Sequence, residues 1–224
     1  MPRIASSTGA PVVSDLHAAF EVAKGTFTLR VDLTFHPGVT AILGPSGAGK
    51  STLVAALVGA LRPTAGALRL GNVPWFEAAK GVFVPPEGRG IGVVLQSLAL
   101  FPHMTALENA SFGLVRGKEA HARAWLEKLG VGHLADRRPR TYSGGEAQRV
   151  AIARALAIDR DVLVLDEPFA ALDDTTRSLV LDALRGVLEA RERLVVLVTH
   201  HTPDVDALSA RKVHVVDGRV AATR

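Results

Sequence analysis

One glycine-rich segment constrains the fold more than any other feature of this chain. Residues 44–52 read Gly-Pro-Ser-Gly-Ala-Gly-Lys-Ser-Thr, between a strand predicted at Val39–Leu43 and a helix predicted at Leu53–Leu61, which Arg62-Pro63 should end. The pattern G-x-x-x-x-G-K-[ST] in that context predicts a phosphate-binding loop, because its glycines let several backbone N–H groups converge on one anion. The start of the following helix adds partial positive charge. We therefore predict a nucleotide site on an α/β fold.

The residues of this loop have distinct expected roles. Lys50 should reach the β- and γ-phosphates, and the Ser51 hydroxyl should ligate Mg²⁺. Average residue usage makes a chance occurrence rare, and the strand–loop–helix context disfavours an ordinary glycine turn. The predicted nucleotide-binding residues of the loop are Gly44, Pro45, Ser46, Gly47, Ala48, Gly49, Lys50, Ser51 and Thr52.

Two adjacent carboxylates follow another apolar strand. Asp166 and Glu167 come directly after Val162–Leu165, at the strand end where doubly wound folds bind ligands. Behind a phosphate-binding loop, an aspartate in this position holds Mg²⁺ directly or through water. A second carboxylate can polarise the attacking water, so Glu167 is the candidate general base.

The remaining patterns predict an α/β domain with a largely parallel sheet. Continuous Val/Leu runs predict central strands covered on both faces. Alternating residues near the N-terminus predict antiparallel strands, and an apolar stripe at helical spacing predicts a long helix. The predicted central strands are Val162–Leu165 and Leu194–Thr199, the antiparallel strands are Val12–Phe20 and Thr26–Phe35, and the helix is Asp174–Ala190.

The strand pattern disappears in the middle of the chain. An amphipathic helix is predicted there at Lys118–Leu129, with Gly130 as its stop. We interpret this region as a small helical subdomain inserted into the α/β core. The predicted organisation is one domain over residues 1–224, with a nucleotide-binding core at 12–96 and 141–224 and the helical subdomain at 97–140.

Composition and charge exclude several classes of function. The chain has no cysteine, which excludes a disulfide scaffold, a zinc–thiolate site and a cysteine nucleophile. The net charge is only +4, and the densest basic run, Arg137, Arg138 and Arg140, is expected to be a solvated loop, so nucleic-acid binding is not predicted. The N-terminus lacks the apolar segment of a secretory signal, and the longest apolar run is far below the roughly 20 residues that cross a bilayer. We expect contact with a membrane only through a partner.

A second glycine-containing helix start lies far from the first. Ser143-Gly144-Gly145-Glu146 has the Ser-x-x-Glu spacing of a capping box, and an apolar-striped helix follows. Taken alone, the segment predicts only a helix N-terminus. Its two glycines also expose backbone N–H groups and leave room for a phosphate, so we predict a second anion site.

The order of these motifs resembles that of the ATP-binding-cassette ATPases. The resemblance covers essentially residues 12–220 and includes family elements on both sides of the carboxylate pair. The matching elements are the phosphate-binding loop, Gln96 after Ile91–Leu95 (glutamine loop), Tyr142–Glu146 (signature), Asp166-Glu167, Ala171-Leu172-Asp173 (the loop that crosses between subunits) and His200 (switch histidine).

This resemblance implies a head-to-tail homodimer that sandwiches two ATP molecules with Mg²⁺. An aromatic platform for adenine is expected from Phe20, with Phe27 as the alternative, and either could be a core residue. His201 is expected at the surface. The implied catalytic residues are Lys50, Gln96, Glu167 and His200, and the implied Mg²⁺ ligands are Ser51, Gln96 and Asp166. The further implied nucleotide-binding residues are Ser143, Gly144, Gly145 and Asp173, of which Ser143 and Gly145 touch the nucleotide of the other subunit.

A single short cassette resembles the motor subunit of an importer. Such a subunit sits at the cytoplasmic face of the inner membrane, binds a separate permease and acts indirectly with a substrate-binding protein. The expected permease contacts are Leu98–Met104 and the helical subdomain, although the apolar residues of that turn could instead pack inside the chain.

The expected cargo rests on a narrower resemblance. Residues 71–92 are similar to the corresponding segment of molybdate-importer ATPases, so molybdate or tungstate is expected. Thiamine, iron or another small solute, and a soluble cassette without a transport role, are the alternatives. Because residues 213–224 resemble the end of a cassette, we expect the oxyanion-binding domain of those ATPases to be missing here. The sequence also differs from them in Tyr142 and Glu146 for a usual leucine and glutamine, and in Gly88 where arginine is common.

Overall fold

The computed structural model describes residues 13–222. Val12, where the first predicted strand begins, and the N-terminal segment considered for a secretory signal lie outside these residues. Within them, eleven strands form one sheet. The strands are β1 (Leu16–Lys24), β2 (Phe27–Phe35), β3 (Gly38–Leu43), β4 (Ala65–Leu70), β5 (Val73–Glu77), β6 (Val82–Phe83), β7 (Ile91–Val94), β8 (Val162–Asp166), β9 (Leu194–Val198), β10 (Arg211–Val216) and β11 (Arg219–Ala222).

One half of the sheet is parallel. Its strands lie in the order β10-β3-β9-β8-β7, and every neighbouring pair in that series is parallel. All residues of β8 and β9 are buried, which confirms the prediction of central strands covered on both faces. The carboxyl ends of β3, β9, β8 and β7 therefore meet at one edge of the sheet.

The other half of the sheet is antiparallel. β1 pairs with β2 and β4, and the series continues through β5 to β6. The two predicted N-terminal strands are confirmed, but β1 extends to Lys24, because Gly25 adopts a positive φ of 59° and forms the turn. The short strands β4 to β6 were not predicted. The hairpin of β10 and β11 joins the halves by a parallel pairing of β11 with β2.

The helices cover both faces of the sheet. The first begins at Lys50 and ends at Val58, three residues before the predicted stop, because Gly59 adopts a left-handed conformation with a φ of 88°. The helix predicted at Asp174–Ala190 has those bounds. The helices are α1 (Lys50–Val58), α2 (Pro86–Arg89), α3 (Ala106–Ser111), α4 (Glu119–Lys128), α5 (Gly144–Ala157), α6 (Asp174–Ala190) and α7 (Thr202–Ala207), with 3₁₀ turns at Ala78–Lys80, Gly132–Leu134 and Pro139–Thr141.

The segment between β7 and β8 contains helices and no strand. The apolar face expected of this helix was Ala122, Trp125, Leu126 and Leu129. Ala122, Leu126 and the C-cap residue Leu129 are buried, whereas Trp125 is only partly buried. α3 and α4 pack against α5. The arginines of the basic run at 137–140 are exposed, as expected for a solvated loop. The subdomain boundaries at 97 and 140 stay a prediction. Between residues 13 and 222, no helix combines the length and the apolar character that crossing a bilayer requires.

Candidate nucleotide site

Residues 44–49 fold into a tight loop between β3 and α1. Three of its glycines have positive φ, with values of 148° at Gly44, 80° at Gly47 and 111° at Gly49. A Cβ at Gly44 would lie 2.2 Å from the carbonyl oxygen of Val215, and one at Gly49 would lie 2.9 Å from Cζ of Phe27. Glycine is therefore required at two of these positions by close approach as well as by backbone conformation.

The side chain of Lys50 folds back over this loop. Its Nζ donates to the carbonyl oxygens of Gly44, at 2.6 Å, and Pro45, at 2.9 Å. These bonds hold the ammonium group inside the loop, next to the N-terminus of α1. An anion bound there meets a lysine cation and the first N–H groups of a helix at once, which is a strongly favourable electrostatic environment.

A cleft of about 360 Å³ opens beside the loop. It brings together residues from the carboxyl ends of three parallel strands and from the hairpin between β1 and β2. Ser51, Gln96 and the carboxylate pair, which the sequence places far apart, all line it. The lining residues are Lys24, Phe27, Ser46, Gly47, Gly49, Lys50, Ser51, Thr52, Gln96, Asp166, Glu167 and Val198.

Asp166 ends β8 and is the most buried carboxylate of the cleft. It is 6% exposed. Burial raises its pKa above the ordinary value, the neighbouring Glu167 charge raises it further, and Lys50 opposes both. A cation bound next to this carboxylate would favour its charged form. Asp166, the Ser51 hydroxyl and the Gln96 amide oxygen are hard oxygen donors of the kind that Mg²⁺ prefers, so these residues could hold this ion.

Glu167 has an unusual backbone and a histidine partner. Its φ is 51°, and its N–H donates to the carbonyl oxygen of Val198 at 2.9 Å. His200 follows β9, and its Nδ1 lies 3.0 Å from both carboxylate oxygens. The His200 side chain is 74% exposed and that of Glu167 16%. The carboxylate is thus held at the cleft by a histidine that reaches it from the surface, and a water between them and a bound phosphate could lose its proton to Glu167.

The structure does not support Phe20 as the adenine platform. Phe20 is 2% exposed and packs in the core, because the side chains of β1 alternate between the two faces and the even-numbered ones point inward. Phe27, the alternative, lies at the start of β2 and lines the cleft. Lys24, which was not predicted, lines the cleft from the same hairpin.

The signature residues lie outside this cleft. Ser143 caps α5, and Gly145 lies so close to the next loop that an added Cβ would come within 3.0 Å of the Ala171 carbonyl oxygen. The Asp173 side chain accepts from the N–H of Thr176 at 2.9 Å and caps α6. None of these residues, nor Gly144, lines the cleft with Lys50 and Glu167. The site that the resemblance implies is therefore divided within residues 13–222. One half is the cleft with Lys50 and Glu167, and the other half is the signature segment outside it.

A charged cluster that the sequence did not reveal lies beneath His200. The Asp204 carboxylate is 1% exposed and accepts from Nη1 of Arg177 at 3.1 Å. His201 is only partly exposed, and its Nδ1 lies 3.1 Å from Oδ1 of Asp204. Arg177 comes from the start of α6, so the cluster joins the segment after Asp173 to the segment after His200. The pairing of Arg177 with Asp204, 27 residues away, follows from the fold and from no local pattern.

The fold and the site together define a class of protein. The chain is a P-loop nucleotide-binding domain. Beside its phosphate-binding loop, a glutamine follows β7, a carboxylate pair lies at the end of β8, and a histidine follows β9. Residues 29–170 match the family model described as ABC transporter. The chain belongs to this family.

Comparison with individual proteins gives the same result. The chain is 39% identical over 214 residues to the molybdenum import ATP-binding protein ModC of Brucella abortus and 42% identical over 205 residues to ModC of Mycobacterium tuberculosis. These alignments cover 94% and 86% of this chain, but it spans only 60% and 56% of those relatives. Among solved structures, the dimeric structure of MJ0796, a bacterial ABC transporter cassette, matches with a TM-score of 0.79 and 28% identity over 94% of this chain and 98% of that one.

Proposed function

We propose that this chain is the ATP-hydrolysing subunit of an ABC importer, with molybdate or tungstate as cargo. The observation that carries the enzymatic part is the cleft in which Lys50, Ser51, Asp166 and Glu167 meet. A phosphate-binding loop alone would support nucleotide binding. A buried carboxylate and a second one held by His200 beside it support hydrolysis.

The proposed reaction transfers the γ-phosphoryl group of ATP to water. The water oxygen attacks phosphorus, the bond to the β-phosphate bridging oxygen breaks, and the water proton passes to Glu167. Lys50 and the loop N–H groups stabilise charge on the phosphate oxygens. Ser51, Gln96 and Asp166 would hold Mg²⁺, which supplies positive charge to the phosphates when bound. His200 orients Glu167 and would contact the γ-phosphate.

The proposed active form is a head-to-tail homodimer. The N-terminus of α5 lies outside the cleft of its own chain, as a contact to a partner's nucleotide requires. It consists of Ser143, Gly144 and Gly145. A γ-phosphate that binds both halves favours the closed dimer, whereas ADP does not. The match to a dimeric cassette structure supports this arrangement.

The proposed permease contact is the turn that follows Gln96. Leu98 and Ala99 have positive φ values of 58° and 44°. Arg154 of α5, buried at 9% exposure, fixes this turn by donating to their carbonyl oxygens at 2.6 Å and 2.7 Å. Nearby, Phe112 is 48% exposed, and its ring centroid lies 4.4 Å from that of Phe101. An apolar surface beside the turn that Arg154 ties to the signature helix suits a permease at the cytoplasmic face of the membrane, with a substrate-binding protein beyond it.

The cargo is inferred from the named relatives and tested by uptake. Deleting the gene for this chain should strongly lower cellular molybdenum, measured by mass spectrometry after growth on trace molybdate. The intact chain should restore the level, and the matched Lys50→Ala variant should not. Unchanged molybdenum together with lowered thiamine or iron uptake would reject the cargo and keep the ATPase.

Replacement of Phe27 by Ala should weaken ATP binding about tenfold, because stacking of a base on an aromatic ring contributes about 1–3 kcal/mol. Binding of a fluorescent ATP analogue to the monomer measures this effect. Phe20→Leu is the control, since Phe20 is in the core and this change should leave the affinity unaltered. A loss of affinity with Phe20→Leu and none with Phe27→Ala would contradict the assignment.

A further inference from the structure

The carboxylate of Glu146 accepts hydrogen bonds from both donors of Ser143, the serine of the signature. Oε2 of Glu146 accepts from the N–H of Ser143 at 2.7 Å and from its hydroxyl at 2.8 Å. The Ser143 hydroxyl oxygen in turn accepts from the N–H of Glu146 at 3.3 Å. An anion belonging to the chain itself is therefore bound where the proposed dimer brings the partner's γ-phosphate.

His133 holds the other oxygen of this carboxylate. Its Nε2 lies 3.2 Å from Oε1 of Glu146, and it comes from the 3₁₀ turn at Gly132–Leu134 in the helical segment. The bonds from Ser143, followed by that from His133, lower the pKa of Glu146 to about 2. The carboxylate is consequently charged at any physiological pH, and its side chain is 23% exposed.

We propose that Glu146 is a positioning residue that restrains ATP-driven dimer closure by binding the Ser143 donors and placing a negative charge beside the incoming phosphate. This inference rests on the proposed ATP-dependent homodimer. To bind the γ-phosphate, the Ser143 hydroxyl must leave Glu146, and two anions must approach each other at one helix N-terminus. Both effects oppose closure. A glutamine at the same position removes the charge and keeps an acceptor for the Ser143 N–H.

The test compares dimerisation in a background that cannot hydrolyse ATP. Glu167→Gln is combined with Glu146→Gln, and the dimer fraction is measured by sedimentation velocity over a series of ATP concentrations with Mg²⁺. The double variant should reach half-maximal dimer at about fivefold lower ATP, the size expected for one partly exposed charge contact. This difference should shrink as sodium chloride is raised, because salt screens the repulsion.

The chain offers a matched control in α3. Thr105 and Glu108 form the same capping box, with the N–H of Thr105 donating to Glu108 at 2.7 Å. Glu108→Gln thus removes an equivalent capping charge outside the site and should not change dimerisation. ATP affinity of the monomer, measured with a fluorescent analogue at low protein concentration, should be equal in all variants.

The outcomes separate the restraint by Glu146 from the ATP-dependent dimer on which it rests. If Glu167→Gln dimerises with ATP but adding Glu146→Gln leaves the midpoint unchanged or raises it, the restraint by Glu146 is wrong and the ATP-dependent dimer stands. If Glu108→Gln lowers the midpoint as much, or if monomer affinity shifts, the effect does not act through Ser143. If Glu167→Gln stays monomeric at saturating ATP, the dimer itself is wrong and the inference fails with it.

Discussion

Replacement of Glu167 by Gln is expected to lower ATP turnover by about a thousandfold, within the range that a positioned general base contributes. The amide cannot accept the proton of the attacking water, while its size and its contact with His200 are nearly preserved. Because ATP still binds at Lys50 and Ser51, the variant should accumulate an ATP-bound dimer. Phosphate release at saturating ATP measures the first effect, and sedimentation velocity measures the second.

The matched control for this variant is Glu189→Gln. Glu189 is exposed on α6, away from the cleft, so its replacement should leave turnover unaltered. Hydrolysis at the native rate by Glu167→Gln would mean that another group accepts the proton. Loss of ATP binding in this variant would mean instead that the carboxylate supports the fold of the cleft.

Replacement of Arg89 by Ala should lower the free energy of unfolding by about 3 kcal/mol, since it removes hydrogen bonds to buried carbonyl groups and opens a cavity. Arg89 is 4% exposed, and its Nη1 donates to the carbonyl oxygens of Ala56 and Leu57, both at 2.7 Å. Its guanidinium also lies over the Trp75 ring, 5.5 Å from the centroid. It therefore joins the carboxyl end of the helix that begins at the phosphate-binding loop to the antiparallel half of the sheet.

Urea unfolding followed by circular dichroism measures this loss. Burial lowers the pKa of Arg89 to about 10, so the group stays charged at neutral pH and its hydrogen bonds are charge-assisted. Arg62→Ala is the control. Arg62 lies over the Phe83 ring at 5.5 Å but is exposed, so its loss should cost no more than about 0.5 kcal/mol. Equal losses at the two positions would show that the buried bonds of Arg89 contribute little.

Local patterns were sufficient for much of the fold. β3, the phosphate-binding loop and α6 depend on residues that are adjacent or at helical spacing, so the sequence alone predicted them with correct or nearly correct bounds. β4 to β6 escaped prediction because they are short and contain Gly66 and Pro74, which weaken any strand pattern. The burial of Phe20 was not foreseen, since spacing from the loop does not reveal which face of β1 points into the core.

The sequence by itself determined that this chain has a phosphate-binding loop, a carboxylate pair, a glutamine, a histidine and a serine-capped helix, because each is a short motif with its own local chemistry. Only the tertiary structure decided which of them meet. The spatial order β3-β9-β8-β7 differs from the order along the chain and puts His200 beside Glu167, whereas Ser143 remains outside the cleft. Such contacts depend on strand pairing between distant segments, which burial of both sheet faces stabilises and no local pattern specifies.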